Sequence, residues 1–361
     1  MNMKNQLAII LLALGLLLSE VSLSDGGHQT FEIKDFELEA GGILPSAILS
    51  YVTHGRLNEE KSNLVLVPSA YLGDHHGFDY LIQGDKALSP DTYFIVATDM
   101  FQNGYSSSPS NTPPPFNGPN FPTIEIRDNI AAQHRLLTEV FDVDQAAAVV
   151  GFSMGAQQAF QWAVSHPNFM EKTIGICGSA IEHPHGMVRL EGFKSAIMAD
   201  AAYMNGHYNT PPTIGLNAAG THWAAWGTSP EWFRLGLYRD MGLENPTDFT
   251  EFFKNFVKTW DANNLIALAN TWQRNDVGMT AQFDGNSEAA LASIRSDVLY
   301  MACETDQYFH IEALRWEAAR MPDANFVIIP SLWGHMAGGG MSEVDASFIN
   351  DRLTAFLKSE K

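Results

Sequence analysis

A chain of 361 residues with 45% apolar side chains can bury an ample core, and α/β folds with an insertion reach this length as one unit. Its 41 acidic and 21 basic side chains give a net charge of −20, which argues against nucleic acid or an anionic membrane surface as a partner. Two cysteines exclude a disulfide-rich scaffold; Cys177 and Cys303 read as buried free thiols on interior strands that could be neighbours.

At the N-terminus, Lys4 precedes an apolar run from Leu7 to Leu18, too short for a comfortable membrane span, and Ser22-Leu23-Ser24 offers small residues before Asp25. Residues 1–24 are expected to be a secretory signal peptide. The mature chain is then periplasmic or secreted with no stable membrane association; an uncleaved anchor is the alternative. Thr30 to Gly55 reads as a strand-rich opening, and Asn63-Leu64-Val65-Leu66-Val67-Pro68 as an early strand that runs into Ser69-Ala70-Tyr71-Leu72-Gly73. Asp74-His75-His76 follows. Consecutive imidazoles usually diverge and no second cluster stands at ligand spacing, so no metal site is expected. Tyr93–Thr98 is a further strand. The stretch from Asn103 to Phe121, dense in Ser, Pro, Asn and Gly, reads as an ordered surface excursion.

The next element carries the chemistry. Ala146-Ala147-Ala148-Val149-Val150 is a small apolar run, Gly151-Phe152-Ser153-Met154-Gly155 has the Gly-x-Ser-x-Gly spacing, and helical composition continues to Pro167. This is the pattern of a nucleophile elbow, in which a serine sits on a strained turn at a strand end and the flanking glycines let strand and helix pass closely. A serine hydroxyl is a weak nucleophile and needs a base, which in turn needs a group to orient it. In this kind of fold the acid and then the histidine follow the serine, each beyond a later strand. Asp297–Cys303 reads as one such strand and leads into Glu304-Thr305-Asp306; Asn325–Pro330 reads as another and leads to His335. Asp306 is favoured over Glu304 because it lies further into the loop. Gly338-Gly339-Gly340 would let the histidine loop fold back over Ser153.

An oxyanion needs two backbone donors, one from the residue after the nucleophile and one from an early strand-to-helix loop. Met154 supplies the first, and Tyr71 is expected to supply the second. Between the strand ending near Cys177 and the one beginning at Asp297, residues 181–288 are rich in Trp, Met, Ala and Phe without clear strands. They form the candidate helical lid, which leaves residues 25–180 and 289–361 as the two parts of the core. The lid aromatics Trp223, Trp226, Trp232, Phe233, Phe252, Phe253, Trp260 and Trp272 read mainly as packing, with a few lining an apolar pocket. Ser342-Glu343-Val344-Asp345 reads as the capped start of a closing helix through Leu357. Arg127 reads as structural, and His183-Pro184-His185 marks the exit to the lid. No dinucleotide or phosphate-loop pattern appears, so no cofactor is expected.

Several segments together resemble the homoserine O-acetyltransferase group of the α/β-hydrolases. They are Leu38–Pro45 with Ser50–Asn58, Phe121–Gln133, Gly151–Gly155 with Gln158–Ala163, and Asp306-Gln307-Tyr308-Phe309. The resemblance implies a mostly parallel eight-stranded sheet with helices on both faces, an inserted helical lid, and dimer formation through that lid. Two departures stand out. The acetyltransferases usually carry an Asp directly after the catalytic His, which helps hold the amino group of homoserine; here Met336 stands there. The early loop reads Pro68-Ser69-Ala70-Tyr71-Leu72-Gly73 where the group commonly shows His-Ala-Leu-Thr-Gly. With export added, water becomes the expected acyl acceptor, and the chain reads as a serine esterase acting on a small-molecule ester. An O-acetyltransferase of a small alcohol or amino alcohol is the alternative reading, and a non-catalytic binding protein on the same fold the third.

Overall fold

The computed structural model describes residues 27–359, so the expected signal peptide lies outside the described residues. Residues Gln29–Glu37 (β1) and Ile43–His54 (β2) pair as an antiparallel hairpin, and Ile33, Phe36, Leu44, Ala47 and Leu49 turn inward. Leu64–Pro68 (β3) and Phe94–Thr98 (β4) are buried at every position, as expected for parallel strands covered on both faces. After helix Ile126–Arg135 (α1) come strand Ala146–Phe152 (β5), helix Met154–Ser165 (α2) and strand Met170–Ile176 (β6). Asp297–Cys303 (β7), helix Ile311–Ala318 (α9), Asn325–Ile329 (β8) and helix Glu343–Leu357 (α10) complete the core. The sheet order is β1-β2-β4-β3-β5-β6-β7-β8; the first two pairings are antiparallel and the rest parallel. This is the α/β-hydrolase fold with an eight-stranded, mostly parallel sheet. The carboxyl ends of β3, β5, β7 and β8 therefore open onto the same edge, where ligands bind in such sheets.

Between β6 and β7 the chain makes helices Pro184–Met198 (α3), Thr213–Ala224 (α4), Pro230–Leu235 (α5), Pro246–Val257 (α6), Ala262–Gln273 (α7) and Ser287–Ala292 (α8). Local signals set their starts. The side chains of Ser229, Asn245 and Asp261 accept first-turn N–H groups, and Pro occupies the opening of α3, α5 and α6. The base of the insertion is tied where it leaves and rejoins the core: Ile181 bridges Asp276, and Glu182 donates its N–H to the Asn275 carbonyl at 2.7 Å. Packing of Trp232, Phe249 and Trp333 joins the insertion to the loop after β8.

Cys177 departs from the sequence expectation. Strand β6 ends at Ile176, and Cys177 stands just beyond it with φ +46°, its N–H donating to the Met301 carbonyl of β7. It is a turn residue rather than a strand residue, and both cysteines are buried free thiols.

Candidate active site

Ser153 sits between the last residue of β5 and the first of α2, with φ +56° and ψ −123°. A non-glycine residue holds such a conformation only when its surroundings fix it. Here the Ser153 N–H donates to the Ile176 carbonyl at 2.9 Å, and α2 is buried from Met154 to Val164. Gly155 shows why the flank must be small. A Cβ there would lie 2.6 Å from the Pro68 carbonyl oxygen at the end of β3.

His335 Nε2 lies 2.9 Å from Ser153 Oγ, and His335 Nδ1 lies 2.9 Å from Asp306 Oδ2. With Nδ1–H donating to the carboxylate, Nε2 is left to accept the serine proton. The other carboxylate oxygen of Asp306 accepts the N–H groups of Tyr308 at 2.7 Å and Phe309 at 3.3 Å, which fixes the acid. Ser153, Asp306 and His335 are all buried. Glu304 is exposed, so Asp306 is the acid that meets the imidazole.

The imidazole is also held by packing. Phe152 stacks on it with ring centroids 4.9 Å apart, and Tyr308 lies 4.4 Å away on centroids. His335 belongs to a short 3₁₀ turn, Gly334–Gly339, rather than to a free glycine loop. A Cβ at Gly338 would stand 2.6 Å from the Phe152 ring, so glycine is required by close packing there. Thr305 adds a clamp: its hydroxyl donates to the Ser331 carbonyl at 2.7 Å and accepts the Gly334 N–H at 3.2 Å.

Tyr71 lies in the turn after β3 and Met154 opens α2. Among the described residues neither of these two N–H groups donates to a protein acceptor, which leaves both available to a developing oxyanion. The positive end of the α2 dipole adds to the Met154 donor. A buried amide chain anchors the early loop. Gln158 Nε2 donates to the Ser69 carbonyl at 2.9 Å, Gln133 donates to Gln158 at 2.8 Å, and Trp162 Nε1 donates to Gln133 at 2.8 Å. Sequence reasoning did not single out Thr305, Gln133 or Gln158, because their roles exist only once distant loops meet. The Tyr71 phenol reaches the other way and donates to the Leu265 carbonyl of α7 at 3.0 Å.

Other candidates find partners away from the triad, and His28, His75 and Asp99 bring possible metal-ligating atoms within 4.8 Å of one another. Arg127 pairs with Glu39 at 2.6 Å and donates to the Asp276 carbonyl at 3.1 Å. His183 pairs with buried Glu317 at 3.0 Å; this partner and the neighbouring acids raise its pKa against the lowering effect of burial. His75 and His76 diverge to different carboxylates, Asp99 at 3.0 Å and Asp79 at 2.8 Å. The fold also brings His28 beside His75, at nitrogen distances of 3.1 and 3.2 Å and with the rings edge to face, a proximity that sequence spacing does not reveal. Asp99 is committed to the His75 N–H, the His75 ring and Asn103. Burial pushes the Glu182 carboxyl up to about 8, against the opposing effects of Arg189 and the Trp272 N–H.

A strained serine on a strand-to-helix turn, with its base and acid beyond later strands, defines an α/β-hydrolase. The chain belongs to the alpha/beta hydrolase fold family, whose model matches residues 63–338. It is 35% identical to an ethyl acetate hydrolase of Pseudomonas veronii, over 92% of this chain and 95% of that protein. It is 29% identical to a homoserine O-acetyltransferase of Symbiobacterium thermophilum, over 89% of this chain and 91% of that protein. The crystal structure of an acetylester hydrolase from Corynebacterium glutamicum superposes with a TM-score of 0.90 at 32% identity, covering 92% of this chain and 97% of that one. These relatives support an enzyme of the carboxylic ester hydrolase kind with a small-molecule ester as substrate. No helix among the described residues is long and apolar enough to cross a membrane.

Proposed function

We propose that the protein is an exported serine hydrolase that cleaves carboxylic esters of small or medium acyl groups through an acyl-enzyme. The observation that carries this reading is the continuous hydrogen-bonded chain Ser153–His335–Asp306, with 2.9 Å at both links. Ser153 Oγ attacks the ester carbonyl as His335 Nε2 takes its proton. Asp306 holds the tautomer and stabilises the imidazolium. The N–H groups of Met154 and Tyr71 receive the oxyanion. Collapse of the tetrahedral intermediate breaks the ester C–O bond, and His335 returns the proton to the departing alcohol. Water then attacks the acyl-serine by the same route, giving the free acid and regenerated Ser153.

The activities of the relatives, hydrolysis of ethyl acetate and of acetyl esters, support a short acyl group. Met336 supports water over homoserine as acceptor. It stands directly after His335, its N–H donates to the Gly227 carbonyl of the insertion, and its thioether offers no charge to an ammonium group.

The test is hydrolysis of p-nitrophenyl acetate, butyrate and octanoate by the mature chain, with and without homoserine. Release that is independent of homoserine and lost in Ser153→Ala is expected. Release that requires homoserine and yields an O-acylhomoserine would overturn the hydrolase reading in favour of an acyltransferase. Export rests on the leader, and N-terminal sequencing of the fractionated protein tests it; a cytosolic chain that retains Met1 would remove it.

A further inference from the structure

Arg189, on α3, is 3% exposed, and none of its three guanidinium nitrogens has a hydrogen-bond partner. Its guanidinium carbon lies 4.0 Å from the centroid of the Tyr308 ring, 4.9 Å from that of Trp272 and 5.2 Å from that of Trp223. The ring faces give a buried cation electrostatic attraction, but they leave its N–H groups unanswered. The Tyr308 hydroxyl, equally buried, is also without a partner. A second, independent group in the same wall therefore carries an unused donor.

The location is specific. Tyr308 packs against the imidazole of His335, and Trp223 stacks on Tyr71, the residue expected to supply the second oxyanion donor. The cage thus spans from the base to the early loop, on the insertion side of Ser153. Glu182 and Asp306 act on this charge electrostatically, but neither accepts a hydrogen bond from the guanidinium. Asp306 is occupied by His335 and two amides. Glu182 accepts from Trp272 Nε1 at 2.6 Å and Gln157 Nε2 at 3.3 Å, and burial keeps it largely protonated near pH 7. In a chain with about twice as many acids as bases, one buried guanidinium is left without a hydrogen-bond acceptor beside the reacting centre. The N–H edge of a guanidinium takes a carboxylate through two parallel hydrogen bonds.

We propose that Arg189 and the Tyr308 hydroxyl form a carboxylate-binding subsite in the active-site wall, so that the enzyme selects esters bearing a carboxylate near the scissile bond. The proposal rests on the ester hydrolase reading of Ser153. The carboxylate can belong to the acyl part, as in the half-ester of a dicarboxylic acid, or to the alcohol part, as in an acylated hydroxy acid.

Two isosteric pairs separate these sources: p-nitrophenyl hemisuccinate against p-nitrophenyl 4-methylpentanoate, and acetoxyacetate against isobutyl acetate. In the wild-type enzyme kcat/KM for the anionic member of one pair is expected to exceed that of its neutral isostere at least tenfold. Arg189→Met should remove that preference, Arg189→Lys should restore part of it, and Tyr308→Phe should lower it severalfold. A wild-type enzyme that favours the neutral member of both pairs overturns the subsite. So does an Arg189→Met enzyme with an unchanged ratio. Should Arg189→Met fail to fold, Tyr308→Phe and competitive inhibition of the wild type by succinate and glycolate decide the question; no inhibition by either dianion or hydroxy acid, with an unchanged ratio in Tyr308→Phe, overturns it. Absence of turnover on all four esters would instead remove the hydrolase reading. Thermal stabilisation of the wild type by succinate or glycolate that is smaller in Arg189→Lys would still support the subsite, and an equal shift in both proteins would reject it.

Discussion

The two walls of the site treat polar groups in opposite ways. On the sheet side, Ser153 Oγ, both nitrogens of His335 and both carboxylate oxygens of Asp306 have partners within the protein. In the wall around Arg189, its guanidinium, the Tyr308 hydroxyl of the loop after β7 and Gln157 Oε1 of α2 are buried without any. A buried donor without an acceptor costs about 1–3 kcal/mol, more when it is charged. The triad is therefore complete in itself, whereas Arg189 and the Tyr308 hydroxyl hold donors that only a further group can answer. The division is thus between the triad, whose polar groups are answered within the protein, and its neighbours around Arg189, whose groups are not.

The sharpest way to test the division is at the sheet side. Ser153→Ala should lower kcat by about 10⁴–10⁶ with the fold retained; near-normal turnover with native circular dichroism would place the nucleophile elsewhere. Asp306→Asn should cost about 10⁴ in kcat through the wrong imidazole tautomer. Glu304→Gln, in an exposed position, should change kcat less than about twofold by comparison, and steady-state kinetics on the pair would reverse the assignment if the order were inverted.

Smaller effects probe the seam between the walls. Gln158→Leu removes the donor to Ser69 and leaves Gln133 short of an acceptor, so denaturant unfolding should lose about 1–3 kcal/mol. Tyr71→Phe removes only the phenol bond to Leu265, and about 1 kcal/mol should be lost, with faster amide exchange in α7.

Glu182 tests the insertion side through pH. Its folded pKa, about 8, lies above the ordinary 4.5, so the folded state holds the proton more tightly. Its contribution is fully present below pH 4.5 and is lost as pH rises through 8. Glu182→Gln should therefore flatten the alkaline decline, and its melting temperature relative to wild type should improve by a few °C between pH 6 and 9. An identical pH dependence in the variant would mean that Glu182 is ionised in the folded chain. His166 acts in the opposite sense. Burial, with His134 stacked beside it, pushes its pKa down to about 4, and stability is lost as pH falls from 6.5 towards that value.

Much of the sheet side was legible because its signals are local. A run of apolar residues followed by Gly-x-Ser-x-Gly specifies a strand, a tight turn and a helix within fifteen residues, and β5 and α2 follow that pattern. The strands before Asp306 and His335 were legible for the same reason, as were the capped start of α10 at Ser342 and the strandless stretch between β6 and β7. Cys177 was misplaced because the apolar run continues one residue past the last ladder pair, and only the turn geometry ends the strand there.

The amino-acid sequence by itself determined the α/β-hydrolase class, the candidate nucleophile and the chain order of its partners, since turn chemistry and strand periodicity act over a few residues. Only the tertiary structure decided that Asp306 rather than Glu304 meets the imidazole, that Gln158 anchors Ser69, and that Arg189 lies unpaired among Trp223, Trp272 and Tyr308. Those contacts join side chains between 29 and 119 residues apart, and no local propensity encodes them. They arise when the insertion closes over the sheet and each buried polar group either finds a partner or is left without one.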